Sequence, residues 1–374
     1  MTYFEQYTSN TYAGSGNQLC FRMSEGEVRI GRVLYRVAVG GAYRYSLLFS
    51  NTVDSTFADG SLCRCNLVCD AWHIHGARVG KCKRIDATRS LADWTMSDAG
   101  DGDADVVVGE FCELTFDGQR QKQVAPGETF ASDAVMLNFE AGEYLCLEMT
   151  FSGGMMPYHE ESLLPIFVKN ENGWTYARQM PLPSMIGCDR PVRSRVGYLG
   201  DSITQGIGTP YNSYTHWNAV LSERLGAENA YWNLGIGYGR ASDAASDGAW
   251  MHKAKQNDTV FVCYGVNDIL QGRSEQQIKD DLAAIVDILK RAGKRVILQT
   301  VPPFDYTGDR IGKWERINAY IKTVLATHVD AVFDNLPILG QEDAPHMARY
   351  GGHPNARGCA RWAKALYEAV GALI

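Results

Sequence analysis

Two periodicities divide this chain, and the change between them falls near residue 190. Before about residue 180, Val33, Tyr35, Val37 and Val39 alternate with Arg32, Leu34, Arg36 and Ala38. Leu145, Leu147, Met149 and Phe151 alternate in the same way with Tyr144, Cys146, Glu148 and Thr150. Side chains on a strand point alternately to opposite faces, so this spacing predicts strands with one buried face and one more polar face. Asp59-Gly60, Asp101-Gly102, Asp117-Gly118 and Ala141-Gly142-Glu143 read as the turns between runs. Short strands, frequent turns and almost no helical periodicity predict an antiparallel β-sandwich of jelly-roll type over residues 1–185.

The stretch Pro181–Ser194 carries three prolines and a glycine and reads as a connection. Beyond it, short apolar runs suited to buried parallel strands lie at Arg195–Asp201, Ala230–Gly235, Asp258–Gly265, Arg295–Pro302 and Ala331–Asn335. Helical patterns separate them. In the clearest, Ser274–Gly293, residues Ile278, Leu282, Ile285 and Leu289 share one face, Ser274 and Gln277 form a capping box, and Gly293 stops the helix. Five such units predict an α/β domain over residues 193–374, a parallel sheet with helices on both faces. The chain has 374 residues, more than the ~250–300 that one hydrophobic core usually serves, which agrees with two domains.

Composition narrows the partners. A net charge of −7 without a Lys/Arg-rich block argues against nucleic acid or an anionic membrane. No run approaches the ~18 apolar residues that span a bilayer. Met1–Asn10 has neither a basic nor an apolar leader segment, so a cytoplasmic location is expected. Ten cysteines in a chain of this length then read as reduced, mostly buried thiols. Seven of them precede Cys188, and only Cys263 and Cys359 follow it.

Ligands of doubly wound sheets bind at the carboxyl ends of the strands. After the first strand comes Gly200-Asp201-Ser202-Ile203-Thr204, a turn that exposes a hydroxyl beside the free N–H groups of a helix start. After the second comes Asn233-Leu234-Gly235-Ile236-Gly237-Tyr238-Gly239, whose glycines permit close backbone approach. Gly265-Val266-Asn267-Asp268 follows the third, and Gly351-Gly352-His353-Pro354-Asn355 precedes the last helix. Singly, each segment is most simply a turn or a helix cap. Together they supply a nucleophile, oxyanion donors and a base, the parts for acyl transfer.

The GDSIT, GVND and GGHPN segments, in that order at strand ends, resemble the SGNH (GDSL-type) hydrolases over residues 193–374. The resemblance implies a flavodoxin-like three-layer α/β/α domain. It also implies Ser202 as nucleophile, His353 as general base, and an oxyanion hole from the Ser202 N–H, a glycine N–H and the Asn267 amide. The family's glycine stands five residues after an asparagine, which here falls on Tyr238; Gly237 is the expected donor, with Gly239 next. The family also carries aspartate three residues before the histidine, where this chain has Tyr350. Something must still accept the Nδ1–H bond so that Nε2 faces Ser202. That role falls to Asp343 or Glu342 brought back by a loop, or to a backbone carbonyl in a Ser–His dyad, which is the preferred expectation.

Other clusters carry less chemistry. Cys63, Cys65, Cys69, His73, His75 and Cys82 lie close in sequence, but a Cys-x-Cys spacing suits structural zinc poorly, and core packing is expected instead. Asp101, Asp103 and Asp105 open like a calcium loop, yet Val106 and Cys112 break its pattern. Trp217, Tyr211 and Tyr214 follow the nucleophile segment as candidates for a sugar cleft, with core or interface positions equally open. The expectation is a serine esterase with no cofactor and no metal, acting on a small-molecule ester. Its combination of domains resembles carbohydrate esterases that remove acetyl groups from sugars. The alternatives are a lipolytic acylhydrolase or thioesterase, and a non-catalytic carbohydrate-binding protein with a vestigial hydrolase domain. A homo-oligomer is left open.

Overall fold

The structure is a computed structural model, which describes residues 2–55, 65–82, 110–340, 348–349 and 352–374. The chain forms two compact units, one of residues 1–53, 57–191 and 210–212, the other of residues 54–56, 192–209 and 213–374. The first runs past residue 185 because Met185–Cys188 is a buried strand rather than part of a connection. It pairs with Gly41–Ser50 on one side and Thr8–Ser9 on the other. The prolines at 181, 183 and 191 flank this strand and leave its ladder intact.

Antiparallel sheets of five and seven strands make up most of the first unit. In the larger, Tyr144–Gly153 lies between Arg29–Arg36 and Trp72–Cys82, with Leu147 opposite both Val33 and Val79. Val33, Leu145, Leu147, Met149 and Phe151 are fully buried, as the alternation predicts. The opposite face is more apolar than expected. Leu34, Cys82, Tyr144, Cys146 and Phe167 form a second buried cluster there, with Phe111 and Trp174 packed against it. Trp72 of this sheet meets Phe130 of the five-stranded sheet, ring centroids 6.2 Å apart. Asp117 and Gly118 both take positive φ (51° and 75°), the mirror-image turn that matches strand twist. Asp59-Gly60 and Asp101 to Val106 lie outside the described residues.

The second unit is built on five parallel strands: Ser194–Gly200, Asn229–Gly235, Thr259–Cys263, Arg295–Gln299 and Ala331–Phe333. Their spatial order is second, first, third, fourth, fifth. The winding direction therefore reverses between the first and third strands, where open α/β sheets bind ligands. Helix Glu275–Arg291 starts on the Ser274–Gln277 capping box and buries Ile278, Leu282, Ile285 and Leu289 against the sheet. The last helix, Ala356–Val370, buries Cys359, Trp362, Ala363, Leu366 and Val370. Trp362 stacks on Trp217 at 4.8 Å between centroids and donates its indole N–H to Gln299. Trp217 is thus a core residue, not the wall of a cleft.

Candidate active site

Ser202 opens the turn that follows the first parallel strand. Asp201 caps that turn, its Oδ1 accepting the Ile203 N–H at 3.0 Å. A Cβ on Gly200 would lie 2.1 Å from Thr204 Oγ1 and 2.7 Å from the Cys263 carbonyl oxygen. One on Gly235 would lie 2.1 Å from the Gln205 nitrogen. Only glycine lets the ends of the first three strands crowd against this turn, and the crowding holds the Ser202 hydroxyl at the rim.

His353 reaches the same point from the far end of the chain, its Nε2 lying 2.8 Å from Ser202 Oγ. Asn355 fixes the helix that follows, its Oδ1 accepting the Gly358 N–H at 3.0 Å. Gly208, at φ +98°, presses on the His353 backbone so closely that a Cβ would fall 2.6 Å from the Pro354 carbonyl oxygen. Phe304 packs edge-on against the imidazole at 5.2 Å between ring centroids. No motif or periodicity singles out Phe304, which lies in the loop after the fourth strand. Glu342, Asp343, Tyr350 and Gly351 lie outside the described residues.

Asn267 stands near the start of helix Val266–Leu270, just after the third strand, and is buried. Its Nδ2 donates one hydrogen to the Gly239 carbonyl oxygen at 3.0 Å. A side-chain amide has two such hydrogens, so the second remains to serve an oxyanion. The Gly239 N–H is committed to Ile236 O at 3.1 Å, closing a tight turn. The Gly237 N–H has no acceptor among the described residues. Between them Tyr238 takes φ +61°, a left-handed conformation that costs a non-glycine residue roughly 1–3 kcal/mol. It is 41 % exposed, so its ring stands at the rim of the loop. The glycine pattern breaks at this position, yet the tyrosine adopts the backbone that a glycine would.

Two buried carboxylates lie beneath the rim. Burial pushes Asp201 up to about 7, with the charge of Asp268 adding to the rise and the Ile203 N–H opposing it. Asp268 is pushed up to about 6, again chiefly by burial, while the Ala241 N–H and Arg273 oppose it. Asp268 Oδ2 accepts that N–H at 3.0 Å. Arg273 Nε stands 3.4 Å from Asp268 Oδ1, but in poor alignment for a hydrogen bond.

Among the described residues, no three His, Cys, Asp or Glu side chains cluster as metal ligands. His73 and His75 stack at 4.7 Å and bond Gln123 and Ser152 instead, while Cys69 and Cys82 are buried. Cys63 lies outside the described residues. Nor is any described helix long and apolar enough to cross a membrane. Tyr211 donates its hydroxyl to the Leu164 carbonyl within the first unit, and Tyr214 is buried.

A hydroxyl facing an imidazole nitrogen, with an amide and the Gly237 N–H at the ends of the neighbouring strands, is a set of groups that can open an ester by acyl transfer. A search of curated protein sequences gave no match. Among solved structures, TesA is 23 % identical with a TM-score of 0.41, the alignment covering 48 % of this chain and 99 % of that one. A member of the lipolytic protein G-D-S-L family from Veillonella parvula is 22 % identical at TM-score 0.40, over 46 % of this chain and 96 % of that one. An acetyl xylan esterase, AlAXEase, is 20 % identical at TM-score 0.41, over 47 % and 99 %. Residues 198–361 match the model of the GDSL-like Lipase/Acylhydrolase family, a span that holds Ser202, Asn267 and His353. Residues 198–361 thus carry a GDSL-like lipase/acylhydrolase domain, built on the five-stranded parallel α/β sheet.

Proposed function

We propose that the chain is a serine esterase that works through an acyl-enzyme, and that its substrates are O-acetylated carbohydrates. The observation that carries the mechanism is the 2.8 Å approach of Ser202 Oγ to His353 Nε2. His353 takes the hydroxyl proton as Ser202 attacks the ester carbonyl carbon. The resulting oxyanion is held by the N–H groups of Ser202 and Gly237 and by the free hydrogen on Asn267 Nδ2. Collapse expels the alcohol, to which His353 returns the proton. Water, deprotonated by the same imidazole, then releases the acid.

Each oxyanion donor is worth roughly 2.7–4 kcal/mol in the transition state. Asn267→Ala is accordingly expected to lower kcat by on the order of 10²–10³ with little change in KM. Steady-state rates on an aryl acetate check this, and an unchanged kcat would remove Asn267 from the hole.

Two features support a short acyl group on a sugar. Phe304 packs edge-on against the imidazole, which puts an aromatic wall next to the base, where a short acyl group is easier to seat than a long one. The exposed Tyr238 ring lies next to the Gly237 donor and offers the flat apolar face on which a sugar ring can stack. A chain-length series of aryl esters is the test, followed by acetylated oligosaccharides. Acetyl is expected to be turned over fastest, and Tyr238→Ala to raise KM for acetylated sugars while sparing aryl acetates. A rate maximum at long acyl chains would instead make the enzyme a lipolytic acylhydrolase or thioesterase.

A further inference from the structure

We infer that Ser55 and Asp54 are positioning residues for the loop that carries the oxyanion donors. The inference rests on the esterase reading above. By sequence both fall within the strand-rich half of the chain, yet they belong to the hydrolase unit. Both are fully buried there. Ser55 Oγ donates to Asp243 Oδ2 at 2.7 Å. Asp54 Oδ2 pairs with Lys253 Nζ at 2.5 Å, and that lysine side chain is only 7 % exposed. A buried ion pair of this kind fixes where the two-residue segment sits, because either charge left alone in the interior is strongly unfavourable.

Asp243 is the link to the loop. Besides the Ser55 hydroxyl it accepts the Arg240 backbone N–H at 3.3 Å, Nε at 3.2 Å and Nη2 at 2.9 Å. Arg240 directly follows Gly239, whose carbonyl oxygen receives Asn267 Nδ2. Ala241, the next residue, gives its N–H to Asp268, the neighbour of Asn267. The segment from Gly237 to Ala241 is therefore gripped twice, by Asn267 and Asp268 from the third strand's end, and by Asp243 from the helix it leads into. Ser55 supplies the hydroxyl donor to Asp243. Without it Oδ2 keeps only its Arg240 donors, and the carboxylate is free to turn with Arg240 and carry Gly237 and Gly239 off their positions. Oxyanion donors act only when already in place, so a shift of even 1 Å is costly.

The test is Ser55→Ala in the full chain, read on an aryl acetate and with a phosphonate transition-state analogue. We expect kcat to fall about 10- to 100-fold, KM to stay near wild type, and analogue affinity to fall in parallel with kcat. Ser55→Thr, which keeps the hydroxyl, is expected to recover most of the loss. Asp54→Asn gives the same readout should Ser55→Ala not yield folded protein. A folded Ser55→Ala or Asp54→Asn enzyme with a lower melting midpoint but wild-type kcat and analogue affinity overturns the inference, since the segment is then merely structural. An inactive wild type would instead overturn the esterase reading on which the inference rests.

Discussion

Replacing Ser202 with alanine is expected to lower kcat on ester substrates by on the order of 10⁶, with the protein still folded. Nothing structural depends on the lost oxygen. Asp201 still caps the Ile203 N–H, and Gly200 and Gly235 still set the turn. What disappears is the atom that bonds to the acyl carbon. Any remaining rate must come from water attacking an ester held by the oxyanion donors, which by themselves sustain roughly 10³–10⁴ over the uncatalysed reaction. His353→Ala should fall nearly as far, because a neutral hydroxyl without a base is a poor nucleophile. The double variant should be little worse than either single one, since the two groups act as a unit. Labelling by a fluorophosphonate gives the second readout: wild type should react at Ser202 and both variants should not. Labelling of Ser202→Ala, or a loss of only tenfold, would place the nucleophile elsewhere.

Much of the second unit was legible because its signals are local. Each parallel strand is a run of apolar residues, and the Ser274–Gln277 capping box and the face through Ile278 and Leu282 mark their helix without tertiary information. The motif residues were legible for a related reason, since strand ends put short segments at one rim whatever lies between them. What stayed hidden depends on contacts distant in sequence. Met185–Cys188 is too short and too close to prolines to announce a strand; its partner, Gly41–Ser50, supplies the ladder. Ser55 meets Asp243 across 188 positions, which no periodicity encodes. Trp217 is equally apt for a cleft or a core until Trp362 is found stacked on it. Tyr238 shows as a departure from a glycine pattern, but only φ reveals that the backbone kept the glycine's conformation.

The two carboxylates under the nucleophile turn make the hydrolase unit less stable as pH rises from about 4 to about 7. The sign follows from proton binding. An unfolded aspartate releases its proton near pH 3.9. Buried Asp201 holds its proton up to about 7 and Asp268 to about 6. Across that window the folded state binds more protons than the unfolded one, so unfolding free energy declines with pH. Below about pH 4 both states are protonated and there is no penalty; above about 7 the penalty is complete. One pKa unit corresponds to about 1.4 kcal/mol, so Asp201 alone accounts for about 4 kcal/mol. Asp201→Asn removes the charge and keeps an oxygen to accept the Ile203 N–H. Its stability relative to wild type should therefore be pH-dependent: near parity or slightly below at pH 4.5, and higher by several kcal/mol at pH 8. The same change relieves Asp268, whose charge adds to the rise at Asp201. Urea unfolding of both proteins at pH 4.5, 6 and 8, followed by tryptophan fluorescence, measures the difference directly. Parallel curves would mean that Asp201 is charged throughout. It would then stand as a fixed anion next to Ser202, opposing the oxyanion at every pH instead of only above neutrality.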